Sequence, residues 1–149
     1  KRDTVMQCLS YLIRNDFSNI TTVWQWYLHP SYKKKIINPE PFLKFGSIGV
    51  PLWYCYEMDA RQEYYRQKYS NKIDIISTSL EDVVTKNGAR NLLNNLKLNS
   101  ECLMPPQKNA NKQKSSIEAM HKVKSIVDNI NFNCEAVVFQ AIKEGFSFD

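Results

Sequence analysis

The 149-residue chain is poor in the residues that carry most catalytic and metal chemistry: it has two histidines, four cysteines and four glycines. Neither His29 nor His121 lies in an HExxH pattern or beside a serine or cysteine motif, so nothing points to a metalloprotease or a base-activated nucleophile. The cysteines stand at positions 8, 55, 102 and 134 without a CxxC pair. Structural zinc sites draw paired ligands from one turn, and disulfide-dense scaffolds need tighter spacing. Four reduced, mostly buried thiols are expected, which places the protein inside the cell, in the cytoplasm or nucleus. Gly46 and Gly49 are flanked by apolar residues and lack a following Lys-Ser or Lys-Thr, so there is no phosphate-cradling loop. No apolar run approaches the roughly 18 residues of a membrane helix, and no membrane partner is expected. Glu57, Asp59 and Glu63 lie close together but lack a glycine-turned ligand loop. They are read as solvated or paired with Arg61 and Arg66 rather than as cation ligands. No catalytic residue, metal or cofactor is assigned, and the chain reads as a non-enzyme.

With 43% hydrophobic and 23% charged residues the chain can form a core. Its patterning predicts an all-α, irregular bundle of about six helices, with Ile73, Ile75 and Ile76 marking a candidate short strand at 73–77. Val5, Cys8, Leu9, Leu12 and Ile13 keep helical spacing over Thr4 to Asn15, and Asp3 can cap them. Ile20, Val23, Trp24, Tyr27 and Leu28 mark a second helix from Thr21 to His29, stopped by Pro30. Pro39, Pro41, Gly46, Gly49 and Pro51 then mark an apolar loop, packed down on the helices or forming a binding surface. Leu52 to Tyr69 is a longer helix with Trp53, Tyr56, Ala60 and Tyr64 on one face. Thr78-Ser79-Leu80-Glu81 and Ser115 with Glu118 read as capping boxes. Asn87-Gly88 is read as a break, with helical spacing resuming to Leu98. Ile117 to Ile130 and a final helix capped by Asn133 complete the set, and Phe146 and Phe148 are read as anchors. The whole reads as one helical domain, 1–149, with a flexible polar loop at 105–114. It opens on Lys1-Arg2 rather than Met and is expected to be a piece of a larger protein.

Surface chemistry carries the functional expectation. Trp26, Phe42, Phe45 and Trp53 cluster around the proline- and glycine-punctuated segment, and aromatic anchors of this kind are common hot spots for protein partners. The leading expectation is therefore a non-catalytic interaction module of a larger intracellular protein, gripping a protein partner through these rings. The alternative is binding of RNA or single-stranded nucleic acid. The net charge is +5, and residues 1–37 hold six basic groups against two acidic ones. Tyr32 beside Lys33, Lys34 and Lys35, and Arg61, Arg66, Lys68 and Lys72 among Tyr64, Tyr65 and Tyr69, mix cations for phosphates with rings for bases.

Overall fold

The structure, a computed structural model, describes residues 3–18, 27–98 and 116–148. It is an all-α irregular bundle, as the patterning predicts. Helix α1 spans Thr4–Arg14 and starts at Asp3, whose carboxylate accepts from the Met6 amide at 3.0 Å. Its apolar stripe turns Cys8 and Leu9 fully inward. The predicted helix at Thr21–His29 falls mostly outside the described residues, as do Trp26, Cys102 and the 105–114 loop. Tyr27, Leu28 and His29, which are described, are not helical.

The segment read as a loop is largely helical. A short helix α2, Glu40–Leu43, and a 3-10 turn, Gly46–Ile48, lead directly into the central helix α3, Gly49–Tyr69. Sequence punctuation misleads here because Pro41 and Pro51 both sit in first helical turns, where the missing amide has no intrahelical acceptor to lose. Gly49 is required by close approach: a Cβ there would lie 2.2 Å from the carbonyl oxygen of Phe42.

Helix α3 organises the rest. Pro51 to Glu57 are all buried, so its first half is enclosed on every side rather than amphipathic. Further along, only Ala60 and Tyr64 remain buried. Helices α1 and α2 pack on it, and so does the last helix, α7 (Cys134–Lys143), capped by Asn133 as predicted. Helix α6, Ile117–Asn129, lies against α1 and inserts Val123 into the core. Rings fill much of the interior. Tyr11, Phe17, Tyr27 and Tyr54 pack with centroids 4.9–5.6 Å apart, fastening the end of α1 to α3. On the other side Tyr56 lies between Phe42 and Phe132.

Residues 70–98 leave the bundle as an arm. The candidate strand is not formed: 74–79 have no ladder partner among the described residues, and Ile73, Ile75 and Ile76 are exposed. Helix α4, Leu80–Val83, and helix α5, Lys86–Asn95, pack on each other. Their caps differ from those expected. Ser79, not Thr78, accepts from the Asp82 amide at 2.9 Å, and Ser116, not Ser115, caps α6 through the Ala119 amide at 3.0 Å. In both places two adjacent hydroxyls compete for one role. Asn87-Gly88 does not break a helix. The break comes at Val84-Thr85, and Thr85 Oγ1 accepts from the Gly88 amide inside the first turn of α5. A Cβ at Gly88 would lie 1.9 Å from the Asp82 carbonyl oxygen, so this glycine serves a close crossing and not a left-handed turn. Among the described residues no helix is long and apolar enough to cross a membrane.

Candidate functional site

Of the four rings expected to grip a protein, Trp26 lies outside the described residues. Trp53 is 0% exposed and Phe42 is 4% exposed, and both belong to the core. Phe45 is half-buried against that core, with the Lys44 ammonium 5.2 Å from its ring centre. Phe42 and Trp53 are therefore corrected from docking anchors to packing residues. Burial of Phe42 in α2 and of Trp53 in the enclosed first half of α3 leaves neither ring any surface for a partner.

Trp53 instead helps to shape a different surface. Its indole N–H donates to the Ile37 carbonyl at 2.9 Å, fixing the irregular 34–37 segment against α3. One turn on, Glu57 completes the clamp. Its carboxylate is 0% exposed and accepts from the Ile37 amide at 2.8 Å, the Ile36 amide at 3.0 Å and Arg61 Nε at 2.9 Å. Arg61 Nη2 donates onward to the Lys34 carbonyl at 2.6 Å. Burial pushes the Glu57 carboxyl above its ordinary range, against the opposite pull of the Ile37 amide and the Arg61 guanidinium. A buried charge is tolerated only with such partners, and here they also fix the backbone that presents Tyr32 to Lys35.

With one edge tied down, the Arg61 guanidinium presents its plane. Its central carbon lies 4.2 Å from the ring centre of Phe148 and 5.9 Å from that of Tyr32. Phe148 stacks on Tyr65 at 6.0 Å, and Tyr65 on Tyr69 at 6.0 Å with planes 13° apart. Cations lie between these rings. Lys68 Nζ is 5.6 Å from the Tyr69 centre and donates to the Tyr64 hydroxyl at 2.8 Å, and Lys72 lies 6.0 Å from Tyr69. Lys35 Nζ donates to the Tyr32 carbonyl, and Lys33 is exposed beside it. Tyr32 is 50% exposed and Tyr65 44% exposed, so both rings offer surface to a ligand.

The structure thus brings Tyr32, Lys34, Lys35, Arg61 and Lys68 together, with Lys33 exposed next to them in the chain. It separates Arg66, which follows Arg61 by five residues and so turns well away from it around the helix. Arg66 makes a two-bond pair with Glu63, at 2.7 and 2.6 Å, and points toward Glu135 of α7. Arg66 is therefore ion-paired and about half exposed, away from the direction in which Arg61 points. Phe148, read as an anchor, joins this face, its carbonyl meeting Lys34 across 114 residues.

Elsewhere the chemistry is structural. Burial pushes the Cys8 thiol up to about 12 and the Cys55 thiol higher still, which removes their nucleophilic form near neutral pH. Cys8 and Cys55 are free thiols, and Cys134 is half-buried. His29 is engaged by Ser31, whose hydroxyl is 2.8 Å from Nδ1. His121 is exposed on α6. Among the described residues no group of three His, Cys, Asp or Glu side chains is placed to hold a metal ion. Compared with protein-family models, curated proteins and solved structures, the chain matches none.

Proposed function

We propose that the protein is a non-catalytic binding module whose Tyr32–Lys35 and Arg61–Lys72 face takes single-stranded nucleic acid. The observation that carries this reading is the mixture of rings and cations on one surface, with Tyr32 against Arg61 and Tyr65 stacked on Tyr69, and with Lys34, Lys68 and Lys72 beside them. Bases stack on such rings irrespective of sequence, while the ammonium groups meet phosphates. The face carries no base-reading helix, so a strand held without strong sequence preference fits it better than a duplex read in its major groove. The test is charge reversal at the exposed end. Lys33→Glu with Lys35→Glu is expected to weaken binding of a labelled oligothymidylate at low salt by at least about tenfold. Lys124→Glu, exposed on α6, the helix that lies against α1, serves as the control and should leave binding within about twofold. Equal effects of the two variants would remove the face from the account.

A protein partner is the second reading, and its supporting observation lies on the arm. Leu80, Val84, Leu96 and Leu98 are exposed there, and no residue of α5 is buried. A group of exposed apolar side chains of this kind is characteristic of a surface that meets another chain. Hydrogen exchange separates the readings. Nucleic acid should slow exchange around 32–37 and 61–72, whereas a protein seated on the arm should slow it over 80–98.

A further inference from the structure

We infer that residues 146–148 act as an intramolecular plug on the ring-and-cation face, competing with the strand it binds. The inference rests on the nucleic-acid reading above and concerns how that site is regulated. After α7 the chain turns at Gly145, whose φ of +87° is a left-handed conformation that glycine adopts without strain, and runs back over α3. There it satisfies, one by one, the groups a nucleotide would use. The Phe148 ring covers the Arg61 guanidinium at 4.2 Å and stacks on Tyr65, the two surfaces on which a base would lie. The Phe148 carbonyl accepts from Lys34 Nζ at 3.0 Å, and the Ser147 hydroxyl lies 3.3 Å from Lys68 Nζ, the two ammonium groups placed for phosphates.

The segment is built to be displaced. Its acceptors are a neutral carbonyl and a neutral hydroxyl, whereas a phosphate oxygen makes a charge-assisted bond to the same ammonium group, roughly twice as strong. Its rings also pack on Tyr64, Phe146 at 5.9 Å and Phe148 at 4.9 Å, so a strand that displaces it must replace these contacts as well. It sits at half-buried positions, unlike the rings enclosed in the core. The apparent dissociation constant of the strand is then raised by the fraction of time the face is covered.

Hydrogen exchange on the wild-type chain tests this without any substitution. On saturation with an oligothymidylate of about 12 nucleotides, exchange at the Ser147 and Phe148 amides should accelerate while exchange at 61–72 slows. Phe148→Ala should tighten binding by about three- to tenfold, as expected for a segment docked roughly 70–90% of the time. Thermal unfolding of the variant checks that α3 and α7 stay assembled. Slower exchange at 147–148, or weaker binding by a folded Phe148→Ala variant, would make Phe148 part of the binding platform and overturn the plug while leaving the binding function standing. Absence of oligonucleotide binding by both wild type and variant at low salt would overturn both.

Discussion

Replacing Glu57 with alanine is expected to cost about 3–5 kcal/mol of stability, the usual penalty for removing one partner of a buried ion pair. Three donors depend on this carboxylate: the Ile36 and Ile37 amides and Arg61 Nε. Alanine leaves the Ile37 amide and the guanidinium edge without an acceptor in a place water does not reach, because Ile37 is itself core and Arg61 is mostly covered. Against a total of roughly 5–15 kcal/mol, such a loss takes a large share of the folding free energy. For a chain of this size it corresponds to a fall of about 10 °C or more in the midpoint of thermal unfolding. The pH dependence has a definite sign. The folded-state carboxyl titrates above the ordinary value of 4.5, so the folded form binds this proton more tightly than the unfolded chain. The stability the group contributes is fully present below 4.5 and declines as pH rises through its folded-state value. The gap between wild type and Glu57→Ala should therefore widen as pH falls through that window, the reverse of an exposed salt bridge. Denaturant titrations at a series of pH values read it directly. A gap that closes in acid would mean that the ionised carboxylate alone carries the clamp.

The second large effect concerns the rings. Tyr32→Ala and Tyr65→Ala should each weaken oligothymidylate binding by about 1–3 kcal/mol, or roughly 5- to 150-fold, because each deletes a stacking surface. Tyr32 is the cleaner probe. It is half exposed, and its recorded ring contact is with Arg61, so its loss should barely move the unfolding midpoint. Tyr65 also packs on Tyr64, Tyr69 and Phe148, so its substitution should disturb residues 146–148 as well. Phenylalanine at either position keeps the stacking surface and should keep most of the affinity. Fluorescence anisotropy of a labelled oligonucleotide measures all four variants. Alanine variants that bind as wild type would leave only the lysines as contacts and remove stacking from the mechanism.

The helices that are amphipathic were legible in the sequence, and those that are not were blurred. α1 and α7 show one apolar stripe each, and their caps at Asp3 and Asn133 fall where the side chains predict. The entry to α3 was hidden because its first turns are buried all round and contain Gly49 and Pro51, residues that in isolation signal a loop. Within α7, Val137 is exposed although its type suggests an inward position. Local spacing also could not separate core rings from surface rings. Trp53 and Phe42 look like anchors until the fold encloses them, and Tyr32 and Tyr65 look like any other tyrosine. The cationic half of the candidate face was readable as two basic, tyrosine-rich segments. What joins them is the Glu57–Arg61 clamp between residues 34–37 and α3, together with Phe148 arriving from the far end of the chain. Such contacts follow from tertiary closure and leave no periodic trace.

Whether the ring-and-cation face grips a polyanionic strand is read most directly from the affinity for an oligothymidylate as a function of salt. Each phosphate neutralised contributes about −0.7 to the slope of log affinity against log salt for a single strand. With Lys33, Lys34, Lys35, Lys68 and Lys72 on or beside the face, a slope of about −2 to −3.5 is predicted, reduced by about one when Lys33 and Lys35 are reversed. No binding at low ionic strength, or binding with a slope near zero that the lysine variants do not change, would contradict such a grip.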